Sequence, residues 1–229
     1  MTIHPGSSSF LNLKCLRCLY LLAARPQVPT SCSDPFARDR VLDALSPYQR
    51  SRLFSIFERD GLGERYHDAR WSKCQIEHVI RTWHTTDGSL AISGGVGLGK
   101  TMSFTLLMAC LASRNEYSFT YVRAPRLLDI LHSRNGWGKD TANDGAYTDI
   151  LHAKYLFIDD AGTEYASPMA MSRLNDLIEN RHGRRAHHVI NSNLSEPELS
   201  VRDGWERMVD RIMQDAEWVE LGGTSQRRS

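Results

Sequence analysis

The chain has 229 residues, 41% hydrophobic and 24% charged, which is ordinary for a folded domain and enough for one sizeable core plus an appendage. Lys and Arg total 28 against 27 Asp and Glu, so there is no global basic field and any nucleic-acid contact must come from a local patch. Five cysteines, at 15, 18, 32, 74 and 110, make a poor disulfide framework and point to a reducing compartment.

Residues 1–9 are rich in Gly and Ser and are expected to be disordered. Phe10 to Ala24 predicts an amphipathic helix; Lys14 and Arg17 interrupt it, so it falls short of the roughly 18 apolar residues of a membrane span. The expectation is a cytoplasmic protein with no membrane segment. Cys15, Cys18 and Cys32 supply part of a zinc set, but a fourth ligand at sensible spacing is missing unless His4 serves, and a plain helix is the simpler account. Prolines 26, 29 and 35 mark a linker. Three regions are therefore expected: an extension and linker over 1–33, a helical segment over 34–60 for a partner contact or the approach to the core, and a core over 61–229.

Asp34-Pro35 and Ser46-Pro47 each predict a helix start, and Leu53, Phe54 and Phe57 give the second helix an apolar stripe that stops at Gly61. A further helix is expected from about Ser72 to Trp83, then a turn at Asp87-Gly88 and a short buried strand over Ser89–Ser93.

That strand runs into Gly94-Gly95-Val96-Gly97-Leu98-Gly99-Lys100-Thr101, a P-loop with every fixed position filled, and an apolar helix-competent run begins at Met102. Glycines let the backbone N–H groups curl inward onto phosphates, and the following helix adds its positive end. Residues 94–102 are thus the candidate ATP cradle. Lys100 would reach the β- and γ-phosphates, and the Thr101 hydroxyl would complete a Mg²⁺ shell.

A strand is expected over Ser118–Val122 and a helix over Arg126–Ser133, followed by a flexible loop from Asn135 to Gly145 whose Trp137 and Lys139 either touch a partner or simply cover the surface. Tyr155-Leu156-Phe157-Ile158-Asp159-Asp160 reads as a buried parallel strand ending in carboxylates, where open α/β sheets place their ligands. This is a Walker B pattern: Asp159 would hold Mg²⁺ through water and Asp160 would orient the attacking water. A helix over Met169–Arg181 leads to a basic turn of Arg181, His182, Arg184, Arg185, His187 and His188, either a phosphate-binding patch or a solvated connection. A strand over His188–Asn191 follows. The order predicts a three-layer α/β/α P-loop fold with a parallel sheet.

The set Ile158-Asp159-Asp160-Ala161-Gly162, Asn191-Ser192-Asn193-Leu194 and Trp205-Glu206-Arg207-Met208-Val209-Asp210-Arg211-Ile212 resembles the DnaC/IstB-like AAA+ ATPases, nearest to DnaC-type replicative helicase loaders. Leu62 to Ala69 is similar to the approach to that ATPase core. The resemblance implies an AAA+ core with a reduced C-terminal lid and ATP hydrolysis with Mg²⁺. It implies Asn193 as a sensor near the γ-phosphate, with Asn191 as competitor. Arg211 would be an arginine finger for a neighbouring subunit, with Arg207 as alternative, and Arg227 a sensor-2 residue. Read from the residues alone, Arg207 and Arg211 simply pair with Asp203, Asp210 or Asp215 on the helix surface. The partners implied are a replicative helicase, single-stranded DNA and further copies of the chain. An IstB-like transposition helper and a nucleotide-gated assembly switch with little hydrolysis are the alternatives. Asp160 stands where many AAA+ proteins carry Glu, which favours slow turnover.

Overall fold

A computed structural model describes residues 34–133, 141–162, 167–202, 204–214, 216–223 and 225. The expectations for residues 1–33, including Cys15, Cys18 and Cys32, and those for Trp137, Lys139 and Arg227, lie outside them.

Helix α1 (Pro47–Asp60) starts as its Ser46-Pro47 signal requires. Ser46 accepts the Gln49 N–H at 3.3 Å and Gln49 returns the bond to the Ser46 N–H at 3.0 Å, a complete capping box. The Gln49 amide also reaches the Ser113 carbonyl, so the cap ties α1 to the end of the P-loop helix. Asp34-Pro35 does not start a helix. The Asp34 carboxylate accepts the Phe36 N–H two residues on, a local turn that competes with helix initiation, and only a 3₁₀ turn, Val41–Ala44, follows. The helix expected from Ser72 instead splits into a 3₁₀ turn, Trp71–Lys73, and helix α2 (Glu77–Thr86).

Next come β1 (Ser89–Gly94), α3 (Lys100–Ser113), β2 (Phe119–Arg123) and α4 (Ala124–Ser133). They are followed by α5 (Thr141–His152), β3 (Tyr155–Ala161), α6 (Pro168–Gly183), β4 (His187–Ser192), α7 (Glu196–Ser200), α8 (Glu206–Met213) and β5 (Ala216–Leu221). Helix α7 has no counterpart in the sequence-based expectation, and two further elements differ from it. Residues 141–145 belong to α5 rather than to a flexible loop: Ile150 and Ala153 at its C-terminal end are buried and anchor a turn sequence with little intrinsic signal. Strand β5 is also new, because its residues are mostly half-exposed and lack a clean buried face.

The five strands form one parallel sheet in the order β2-β3-β4-β1-β5. Alternation along β3 divides the core: Tyr155 and Phe157 join α1, α2 and α3 on one face, while Leu156 and Ile158 join α4, α6 and α8 on the other. The connection after β1 therefore crosses one face and the one after its neighbour β4 crosses the other. The C-terminal ends of β1 and β4 form a topological switch point, the crevice where such sheets bind ligands.

The free edge of β2 is covered by the end of α1. Asp60 accepts the Tyr121 N–H at 2.8 Å, and Arg59 donates to the Phe119 carbonyl at 3.4 Å. The joint between α6 and β4 is built on Arg181, which is fully buried. It donates to the carbonyls of Ile150, Ala153 and His187 and to His188 Nε2. Two members of the expected basic patch, Arg181 and His188, are thus internal and unavailable to a surface ligand. Arg184 and Arg185 remain exposed.

Candidate nucleotide site

The glycine loop leaves β1 through a close approach. Gly94 has φ +139°, and a Cβ there would stand 2.6 Å from the Leu221 carbonyl of β5. Only glycine fits beside that strand. Gly99 caps α3 in the left-handed region at φ +94°, which aims the first N–H groups of α3 at the loop. Leu98 is buried and pins the loop to the core, whereas Val96 is 63% exposed.

Lys100, buried at the start of α3, places Nζ 2.6 Å from the Gly94 carbonyl, 2.9 Å from the Gly95 carbonyl and 2.8 Å from Asn193 Oδ1. Asn193, just past β4, is therefore the asparagine at the loop. Asn191, fully buried within β4, serves the neighbouring strand instead, where its Oδ1 accepts the Asp160 N–H at 2.8 Å. The P-loop lysine and the asparagine after β4 meet at the switch point.

Thr101 and Asp159 meet beside them. The Thr101 hydroxyl donates to Asp159 Oδ2 at 3.1 Å. Burial raises the Asp159 pKa, and the Asp160 charge adds to this; hydrogen bonds from Tyr121 and Thr101 act the other way. A threonine hydroxyl and a carboxylate are hard oxygen donors, and Mg²⁺ is usually held by one or two such groups plus phosphate and water. The pair fits Mg²⁺. Among the described residues no group of three or more His, Cys, Asp or Glu forms an all-protein metal cage.

Asp160 departs from regular strand geometry. Its φ is +58°, and the β3–β4 register shifts between Ile158 and Ala161. A non-glycine residue held in the left-handed region at a strand end is characteristic of functional positions. The bulge re-aims the side chain that strict alternation would send to the opposite face. The Asp160 carboxylate lies 3.4 Å from Arg123 Nη2, an exposed pair at the tips of β3 and β2.

Not every expected site residue joins this cluster. Met102 lies one residue along α3, half-buried against the core. Arg211 sits in the last turn of α8, where Nε donates to Glu179 Oε1 of α6 at 2.6 Å; the expected partners Asp203 and Asp215 lie outside the described residues. The strand that follows pairs Ala216 with Ser89, at the end of the sheet opposite the loop, so Arg211 does not serve its own chain's loop. Arg207 is exposed on the same helix. Two residues at the site carry no sequence motif: Tyr121, whose hydroxyl donates to Asp159 at 2.6 Å, and Arg123. The register Tyr121↔Phe157 and Arg123↔Asp159 brings them there, and pairing register is invisible in a single sequence.

Fold and site together define a P-loop nucleotide-binding domain on a five-stranded parallel sheet. A family model for IstB-like ATP binding protein matches residues 75–229, and the chain belongs to that family. The insertion sequence ATP-binding protein y4pL of Sinorhizobium fredii is 30% identical over 159 residues, which cover 64% of this chain and 60% of that protein. The chain thus spans about 52–60% of the length of the curated relatives it matches. Among solved structures, the DnaC helicase loader superposes with a TM-score of 0.59 at 20% identity, over 70% of this chain and 100% of that one. AMPPCP-bound DnaA from Aquifex aeolicus gives 0.55 at 17% identity, over 74% of this chain and 53% of that one. At these identities the solved structures share the fold. No helix among the described residues is long and apolar enough to cross a membrane.

Proposed function

We propose that the protein is a Mg²⁺-dependent ATPase of a mobile insertion sequence that assembles on DNA beside a recombinase. The observation that carries the ATPase reading is the convergence of Lys100 with Asn193 and of Thr101 with Asp159 at one switch point. Lys100 and the α3 N-terminus would bind the β- and γ-phosphates. Thr101 and Asp159 would hold Mg²⁺, which when bound neutralises charge on those phosphates. Asp160 would orient the attacking water, and Asn193 would hydrogen-bond the γ-phosphate side. Arg211, remote from its own loop, would complete the site of a neighbouring copy. Arg227 would contact the nucleotide as a sensor.

The mobile-element role rests on sequence kinship: the relative at 30% identity is named as an insertion sequence protein. Loading of a replicative helicase on single-stranded DNA is the second reading, supported by the match to the whole DnaC chain. The test is ATP hydrolysis by the full chain, with and without duplex and single-stranded DNA, alongside Lys100→Ala and Asp160→Ala. Hydrolysis lost in both variants supports the ATPase; ATP binding with no turnover leaves a nucleotide-gated switch; absence of nucleotide binding refutes the site. Size-exclusion with ATP and DNA, plus either an insertion-sequence transposase or a hexameric helicase, then decides the partner.

A further inference from the structure

Strand β2 carries a tyrosine that none of the nucleotide motifs contains. Tyr121 is 5% exposed, and its hydroxyl donates to Asp159 Oδ2 at 2.6 Å. Thr101 donates to the same oxygen at 3.1 Å and reaches Oδ1 only at 3.4 Å. Two hydroxyls from two elements therefore converge on Oδ2. The ring is held edge-on by Phe104 of α3, with centroids 6.5 Å apart and planes at 83°. The backbone is held from the other side, where the Tyr121 N–H donates to Asp60 Oδ2 at 2.8 Å. Asp60, the last residue of α1, is itself held by Arg59 at 2.6 Å.

We propose that Tyr121 is a positioning residue that fixes the orientation of the Asp159 carboxylate for the Mg²⁺–nucleotide complex, and that Asp60 at the end of α1 sets the place of Tyr121. The inference rests on the Mg²⁺–ATP reading of the site. A carboxylate at a strand end is free to turn about its terminal torsion. A phenol hydroxyl engaged on Oδ2 holds the carboxylate plane, with Oδ2 turned toward Thr101 and Tyr121 and Oδ1 the farther of the two oxygens from Thr101. Outer partners of metal-binding carboxylates act in this way, and their loss typically weakens metal affinity about 10- to 100-fold. Asp60, Tyr121, Asp159 and Thr101 also form a continuous set of contacts from α1 to the loop. It makes the metal site depend on a helix that precedes the family-matched residues.

The test is binding of a fluorescent ATP analogue to the full chain, first in EDTA and then along a Mg²⁺ titration. For Tyr121→Phe the expected result is an EDTA affinity within about twofold of wild type and a Mg²⁺ midpoint raised about tenfold. Asp60→Asn, which keeps the tyrosine and loosens its anchor, is expected to raise the midpoint about threefold, a smaller share of the same effect. A wild-type Mg²⁺ midpoint in Tyr121→Phe overturns the proposal. So does an equal loss of affinity in EDTA and in Mg²⁺, which marks a merely structural tyrosine. If Tyr121→Phe melts early, Asp60→Asn decides: an unshifted midpoint there overturns the proposal. If wild-type protein binds the analogue with no response to Mg²⁺, the metal reading itself fails and the proposal falls with it; a Mg²⁺ response in wild type that Tyr121→Phe retains in full sinks the proposal alone.

Discussion

Replacing Arg181 with Leu tests whether the arginine-rich turn after α6 is surface or scaffold. The guanidinium is fully buried and makes four bonds: Nη1 to the carbonyls of Ile150 at 2.6 Å and Ala153 at 2.7 Å, Nη2 to that of His187 at 3.0 Å, and Nε to His188 at 3.2 Å. Burial, with the like charge of Arg184, brings its pKa down to about 10, so it is still cationic at neutral pH. Leucine would leave three buried carbonyls and an imidazole nitrogen without that donor, at about 1 kcal/mol or more each. Relief of guanidinium dehydration offsets part of the loss, leaving a net cost of about 3 kcal/mol. For a chain of this size that is a fall in Tm of about 6–12 °C. Circular-dichroism melting measures it, and fluorescence anisotropy with a DNA oligonucleotide gives the companion readout. The expected result is a large drop in Tm with DNA affinity, if any, unchanged when corrected for folded protein. An unchanged Tm with weakened DNA binding would refute this structural role at the α6–β4 joint and return Arg181 to the surface.

Lys100→Ala should weaken ATP binding about 30- to 100-fold, the size of a lost charge-assisted contact, without lowering Tm, because it also removes a buried ammonium; calorimetric titration and melting check both. Asn193→Ala should cut ATP turnover while leaving affinity within a few-fold. Asn191→Ala should instead cost about 1–2 kcal/mol of stability, since it strips the acceptor from the Asp160 N–H. Stability should fall on acidification from pH 6.5 toward 3. Burial holds His188 down to about 3 and His84 to about 4, against 6.5 for each when free, so protons bind the unfolded chain first. The loss amounts to several kcal/mol, on the order of one per pH unit per histidine, and urea melts at pH 7 and pH 4.5 measure it; equal stability at the two values contradicts the neutral buried imidazoles. Gly94→Ala should disrupt nucleotide binding and β1–β5 pairing together, seen as a lower Tm and lost affinity, because its Cβ meets the Leu221 backbone rather than a movable side chain.

The parts of the site that are legible in the chain are those with contiguous chemistry. The P-loop needs glycines, a lysine and a threonine at set spacing, and β3 needs an apolar run closed by acids, so each announces itself locally. What stays hidden depends on contacts distant in sequence. Strand β5 has no buried face of its own and becomes a strand by pairing with β1. Helix α5 has a weak sequence of its own and is held by packing at its end. Arg181 looks like any basic surface residue until the carbonyls of Ile150 and Ala153 are brought over it.

The sequence by itself determined that the chain carries a P-loop and a parallel strand closed by paired carboxylates, because glycine spacing and hydrophobic runs are read by neighbours a few residues away. Only the tertiary structure decided between Asn193 and Asn191, separated Arg211 from its own loop, and brought Tyr121 and Arg123 onto the two aspartates. Those choices turn on strand order, register and a one-residue bulge at Asp160, which are set by how the sheet closes over two cores rather than by any residue's own preference.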